Sequence, residues 1–382
     1  MSHGNITEFR GNNESDFDIA CDDLNHTSSV IGKTVGFAFL FITSLMGNTM
    51  VAIVVYSGRR MKTTVNFMIV NMAVSDLLNT ILVVPKSIMF IFTYPGAWFI
   101  TGEIGDASCR IVHFLQDITV AVSLLSLLMI AIERFYAISC PVVANPIPDK
   151  KCVFMILSTW FVAFLMYITD LLSFRLAYVE EEGSICSHSW ESLVADPGKA
   201  TTIEFLLHTN LALIIPFIIV TALYSIILGK IRRISVPDEV SSVALNRRRK
   251  RNRNVLFILL AVVIAFGICW FPFIIYTYIV TFGYINKDQH SIPCGLEIYG
   301  EIALFMAYLQ SSVNPTIYFT FSENYRQGLR RLIRHCLILS SNKSLSLNKN
   351  ETQSMKRTKR RCWPGNGVVQ CPNVELLNFD KL

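Results

Sequence analysis

Long charge-free runs, each about the length needed to cross a bilayer, dominate this chain. A helix through the hydrocarbon core needs about 20 mostly apolar residues, and seven such windows occur. The first runs from Thr34 to Ser57 without a charge, the second from Thr64 to Phe92 with only Asp76 and Lys86, and the third from Ile111 to Ile132 with only Asp117. The fourth covers Cys152 to Thr169 and ends against Asp170; the fifth covers Phe205 to Gly229; the sixth is charge-free from Asn254 as far as Asn286; the seventh covers Ile302 to Ser322. Lipid offers no partner to a backbone N–H or C=O, and the runs lack the period-two alternation of a barrel strand, so each window predicts a helix. The fold class predicted is an all-α membrane protein, a seven-transmembrane helix bundle. Pro85, Pro216, Pro272 and Pro315 fall inside these helices, where each should free a carbonyl for a neighbour to satisfy.

Composition agrees. Of 382 residues, 52% are apolar and 16% charged, against roughly 25% charged in soluble domains, which argues against a soluble two-domain enzyme or a disordered chain. Lys and Arg near the span ends set orientation. With the N-terminus outside, the inner segments hold 26 of them and the outer segments 4. The reading is therefore a multi-pass plasma-membrane protein with its N-terminus extracellular and its C-terminus cytoplasmic. The predicted organisation is an extracellular glycosylated tail over 1–30, the bundle over 31–322, an amphipathic helix over 323–336 and a disordered cytoplasmic tail over 337–382.

The first 30 residues contain no apolar signal segment, so the first span is expected to direct insertion. That tail carries glycosylation triplets at Asn5, Asn13 and Asn25, consistent with an outward face. Cys21, Cys109, Cys186 and Cys294 fall on the same side, where oxidation is permitted, and they allow three pairings.

An ionisable group inside a span is costly unless it meets a partner or a wet cavity, so each is a pointer to function. Asp76 is the deepest. Glu133 and Arg134 form an acid-base pair at the inner end of the third span. His113, His188, His208 and the cysteines show no catalytic or metal-ligand spacing, so neither an enzyme nor a metal site is predicted. A transporter would show internal repeats with matching broken helices, and the chain has no such halves.

The residues that remain carry a resemblance. Gly47-Asn48 in the first span, the run Asn71 to Asp76 in the second, and Cys109 heading a third span that closes with Glu133-Arg134-Phe135 occur in order. They are followed by Trp160 in the fourth, Pro216 and Tyr224 in the fifth, Phe266 with Cys269-Trp270-Phe271-Pro272 in the sixth, and Asn314-Pro315-Thr316-Ile317-Tyr318 in the seventh. Over about residues 31 to 336 the chain resembles a rhodopsin-like G-protein-coupled receptor. The resemblance implies a Cys109–Cys186 disulfide. It implies an internal sodium and water site lined by Asp76, Ser123, Ser311 and Asn314, with no other cofactor. It also implies an activation switch built from Glu133, Arg134, Tyr224, Phe266, Trp270, Pro272, Pro315 and Tyr318. Partners implied are a heterotrimeric G protein, a receptor kinase and arrestin. The family's Asp-Arg-Tyr is Glu-Arg-Phe here, and the acid common at the inner end of the sixth span gives way to the basic run Arg247 to Arg253. The usual fourth-span proline is absent, with Asp170 in that region.

Two ligand classes are weakened by single residues. The family's amine-binding Asp and retinal-binding Lys positions are Gln116 and Tyr308 here. Gln116 resembles the neuropeptide receptor group, including those for neuropeptide Y, neuropeptide FF and orexin. At helical spacing His113, Gln116, Asp117 and Val120 share a face. The pocket so implied adds Asp170, Glu204, His208, Trp270, Phe273, Thr277 and Tyr308. The N-terminal tail and the second outer loop are acidic, which favours a basic peptide ligand, with Asp117 and Asp170 as its partners. An amine, lipid or other small molecule on the same fold is the alternative. The stretch Ala177 to Trp190 predicts a hairpin around Gly183.

On the inner side, Arg247 to Arg251 reads as an anchor on anionic lipid. Its attachment to membrane helices argues against nucleic acid as a partner. Ser322 to Arg334 predicts an amphipathic helix with Tyr325, Leu329, Leu332 and Ile333 on one face, and Cys336 beyond it is a palmitoylation candidate.

Overall fold

The computed structural model describes residues 26–139, 149–179, 183–191, 193–233, 243–283 and 293–334, together with Pro364–Gly365 and Val368–Val369; of 26–28, 60, 149, 232–233, 243–252, 364–365 and 368–369 the side chains lie outside the description. The glycosylation triplets at Asn5, Asn13 and Asn25, and Cys336, also lie outside it. Two compact units result, Met1–Arg326 and Gln327–Leu382.

The first unit is built from long helices: α1 (His26–Ser57), α2 (Thr64–Phe92), α3 (Gly102–Ser139), α4 (Asp149–Tyr167), α5, α6 (Val243–Gly283) and α7 (Cys294–Phe321). A one-turn helix, Asp170–Ser173, follows α4. The helix α5 comprises Pro197–His208, a π-helical turn Thr209–Ile214 and Ile215–Arg233. A last helix, α8 (323–334), begins in the first unit and ends in the second. The second unit also holds a two-residue antiparallel ladder, Pro364–Gly365 with Val368–Val369.

Among the described residues, six helices are long and apolar enough to cross a membrane. In α7 the apolar run is interrupted by Glu297 and Glu301 and by Gln310, Ser311, Ser312 and Asn314, and these last four are buried. The whole unit is arranged that way. Along α1, Ile31, Val35, Phe39, Ile42 and Met46 are exposed, while Ser44 and Asn48 are buried. Apolar side chains outward and polar ones inward suit lipid as the solvent.

Helix ends overrun the hydropathy windows. The third window begins at Ile111, yet α3 starts at Gly102 and is steadied there by the Arg110–Asp106 pair, 2.7 Å apart at i,i+4. In α5, Pro216 cannot donate a backbone hydrogen bond. The chain answers with the π turn just before it, where the Ile215 N–H reaches the Asn210 carbonyl.

Helix contacts are set by small residues and buried amides. A Cβ on Gly47 would sit 2.7 Å from Pro315 Cγ, so glycine is what lets α1 approach α7. Beside it, Asn48 Nδ2 donates to the Ser311 carbonyl at 2.9 Å. Ser311 lies four residues before Pro315, so its carbonyl is the one the proline leaves without an intrahelical donor. Asn71 joins three helices by donating to Ser126 Oγ at 2.8 Å and to Thr159 Oγ1 at 3.2 Å, and it accepts from Trp160 Nε1 at 2.9 Å. An apolar cluster of Phe114, Ile118, Ala121, Val122 and Leu125 with Ala163, Tyr167 and Ala212 packs α3 against α4 and α5.

The predicted hairpin is present and starts earlier than expected. β1 (Phe174–Val179) pairs antiparallel with β2 (Gly183–His188), and Gly183 takes φ +84° at the turn, a left-handed conformation open to glycine. The Cys109–Cys186 disulfide ties β2 to the start of α3, with Cα atoms 5.7 Å apart. Cys294 is also disulfide-bonded; Cys21 lies outside the described residues.

Candidate functional site

A cavity of about 480 Å³ opens among α3, α5, α6 and α7 beneath the hairpin. Its wall includes Gln116, Asp117 and Val120 from α3, Asp170 after α4, Glu204 and His208 from α5, Trp270, Phe273 and Thr277 from α6, and Tyr308 from α7. These are ten of the eleven pocket positions expected from the sequence. The eleventh, His113, stands behind the hairpin: its ring stacks on Phe174 with centroids 4.2 Å apart, and Nδ1 lies 3.4 Å from the Cys186 sulfur. Phe174 and His188 reach the cavity only because the disulfide and the strand pairing lay the hairpin across it. Tyr167, Thr201 and Leu213 also line it without having been singled out. Tyr167 and Thr201 carry no local signal; Leu213 sits in the π turn, whose displaced register periodicity does not report.

One side of the cavity is acidic. Asp170 is 2% exposed and Glu204 7%. Glu204 Oε2 accepts from Trp190 Nε1 and meets His188 Nε2, each at 2.7 Å, and Oε1 lies 3.4 Å from Ser173 Oγ. His208 Nε2 is 3.1 Å from Thr169 Oγ1, and its Nδ1 is 3.7 Å from Asp170 Oδ1. The Asp117 and Asp170 carboxyls face one another, and Oδ2 of Asp170 has no donor. Lys86, which is not among the lining residues, donates to Gln116 Oε1 from behind the wall. Outside the spans, Asp196 caps α5; the Lys199 side chain, then its backbone N–H, holds the Asp196 carboxyl below its ordinary value.

Deeper in the bundle, Asp76 Oδ1 accepts from Ser123 Oγ and Oδ2 from Asn314 Nδ2, both at 2.9 Å. Asn79 Nδ2 reaches Ser311 Oγ at 3.4 Å. Of the residues expected around an internal ion, Ser123 and Asn314 thus bond Asp76 directly, and Ser311 meets Asn79. Between this centre and the cavity runs an aromatic ladder. Phe266 stacks on Trp270 at 6.0 Å and on Phe217 at 6.2 Å, with Pro272 two residues after Trp270 in α6.

At the far end, Arg134 pairs with the neighbouring Glu133. Phe135, where the family has Tyr, lies under the Lys230 ammonium at 4.8 Å, so the aromatic ring keeps a cationic partner without its hydroxyl. Tyr224 is buried with its hydroxyl unpartnered. Tyr318 lies against Met72, with its ring stacked on Tyr325 at 5.6 Å, and burial raises the Tyr325 phenol above its ordinary value. In α8 Tyr325 is buried whereas Ile333 is 51% exposed. The side chains of Arg247 to Arg251 lie outside the described residues.

The molecule thus has a cavity at one end, a polar centre in the middle and an ion-paired arginine at the other end, joined through proline-broken helices. The description "7 transmembrane receptor (rhodopsin family)" matches residues 47–318. The chain belongs to the rhodopsin family of seven-transmembrane receptors. It is 28% identical over 312 residues to the QRFP-like peptide receptor of Branchiostoma floridae, covering 79% of this chain and 78% of that one. It is 27% identical over 323 residues to neuropeptide FF receptor 1 of Rattus norvegicus, covering 81% and 72%. It is 26% identical over 300 residues to the allatostatin-A receptor of Bombyx mori, covering 78% and 78%. The protein is accordingly a multi-pass membrane receptor and its family is one of signalling receptors, not enzymes.

Proposed function

We propose that this receptor sits in the plasma membrane with the hairpin outside and is activated by a basic neuropeptide, which drives nucleotide exchange on a heterotrimeric G protein inside the cell. The observation that carries the ligand reading is the acidic wall. Asp117, Asp170 and Glu204 line one cavity whose described lining contains no lysine or arginine. Buried carboxylates seek a cation, and an arginine, lysine or terminal amine of a peptide supplies one. The similarity to receptors named for peptides supports the same ligand class. The distribution of Lys and Arg supports the orientation, and receptor kinase, arrestin and anionic lipid are the remaining partners proposed on the inner face.

The mechanism follows from a two-state bundle. A ligand activates only as far as it prefers the open state. A cation drawn to Asp117 and Asp170 bears on α3 and on the end of α4, while its neighbours in the peptide press on Trp270 and Phe273. Trp270 passes that displacement to Phe266. The proline-broken α6 moves at its inner end, and the Glu133–Arg134 pair opens to the G protein.

Replacing Asp117→Asn, Asp170→Asn and Glu204→Gln singly tests this. A lost charge-assisted hydrogen bond is worth about 1.5–3 kcal/mol, or about ten- to a hundredfold in agonist potency. Unchanged potency of a basic agonist in all three variants refutes the contact.

A further inference from the structure

We propose that Asp170, Glu204 and His208, with His188 beside them, form a Zn²⁺ site at the hairpin end of the cavity. One ligand atom from each of the first three lies within 4.8 Å of the others. Bonds of about 2.1 Å in a tetrahedral zinc site place neighbouring ligand atoms about 3.4 Å apart. The 3.7 Å between His208 Nδ1 and Asp170 Oδ1 is too long for a hydrogen bond and close to that edge. The pair is spaced for an ion between them.

A second observation points the same way. Asp170 is 2% exposed, and its Oδ2 has no donor. The Asp117 carboxyl is hydrogen-bonded to it, so the two share a proton. With the only nearby imidazole among the described residues at 3.7 Å, a divalent ion displacing that proton would fill the open Oδ2 position.

The donor set selects the metal. Two carboxylates and one imidazole suit Zn²⁺, whereas Ca²⁺ and Mg²⁺ take oxygen ligands in greater number. The surroundings hold the ligands in place as outer partners do in zinc proteins: Trp190 Nε1 donates to Glu204, and the Thr169 hydroxyl meets His208 Nε2. The fourth position is left to water, and His188 Nε2, 2.7 Å from Glu204 Oε2, steadies that carboxylate as Trp190 does. Sequence spacing gives no hint of this, because the residues come from the end of α4, from β2 and from α5.

The test is Zn²⁺ alone, titrated calorimetrically into the full-length receptor in lipid nanodiscs, with Ca²⁺ as the comparison ion. One saturable Zn²⁺ equivalent is expected, with no binding of Ca²⁺ at the same concentrations. His208→Asn keeps a donor toward Thr169, and Asp170→Asn keeps the side-chain shape. Each should weaken Zn²⁺ at least tenfold, while its metal-free melting curve stays that of the wild type. Absence of saturable Zn²⁺ binding in the wild type, or equal affinity in wild type and His208→Asn, overturns the site. No agonist enters the assay, so its failure leaves the peptide reading standing; with Zn²⁺ in place Asp170 and Glu204 are its ligands and Asp117 is the carboxylate left for the peptide's cation.

Discussion

Asn48 offers a test of how the bundle compensates for its prolines. Its amide donates to the Ser311 carbonyl at 2.9 Å and to its own helix at Ser44, whose carbonyl is 3.0 Å away. The Ser44 carbonyl also has an intrahelical position in α1, whereas the Ser311 carbonyl has lost its donor to Pro315. Asn48→Ala therefore leaves that buried acceptor only the long bond from Ser44 Oγ, 3.4 Å away. Such a group costs about 1–3 kcal/mol in proteins generally, and interhelical bonds in membranes average nearer 0.6 kcal/mol with a maximum of about 1.7. We expect Asn48→Ala to cost about 1–1.5 kcal/mol in denaturant unfolding of the purified receptor in micelles. In a Pro315→Ala background the restored N–H takes over the Ser311 carbonyl, so Asn48→Ala should then cost about 0.5 kcal/mol or less. A double-mutant cycle reads the difference directly. Additive losses, within about 0.3 kcal/mol, would refute the reasoning.

Three other outcomes follow from the same geometry. Cys186→Ser frees β2 from α3 and with it the positions of Phe174 and His188, so agonist potency should fall at least tenfold in a cell-signalling assay at matched surface expression. Asp76→Asn removes the charge that Ser123 and Asn314 surround; agonist affinity, measured with and without sodium chloride at constant ionic strength, should lose its sodium dependence. Gly47→Val drives a branched side chain into Pro315, and surface expression measured by antibody to an N-terminal tag should drop severalfold, whereas Gly32→Val, at an open position, should leave it unchanged.

The spans were legible because lipid imposes a length on every crossing, and the motif residues were legible because each occupies its own span. The boundaries were not. Hydropathy reports where hydrocarbon begins, whereas helices continue into water while pairs such as Arg110–Asp106 support them. Asp117 and Asp170 stood out as charges in or beside apolar runs, whereas Gln116 and Glu204 came only with the family resemblance. His188 did neither, since its place depends on the register Phe174↔His188 and on a disulfide 77 residues in span. The same holds for the link between His188 and Glu204, and for the turn that buries Asp170 where the family has a proline. Long-range pairing of this kind leaves no periodicity to read.

The most direct measurement is G-protein nucleotide exchange in membranes carrying the full-length receptor, challenged in parallel with amidated basic peptides, the same peptides with each Arg or Lys made neutral, monoamines and lipids. Saturable exchange with a basic peptide, lost on neutralising its cation and weakened by Asp170→Asn, is the predicted result. Saturable exchange evoked by an amine or a lipid, or by the neutral peptide as strongly as by the basic one, would contradict it.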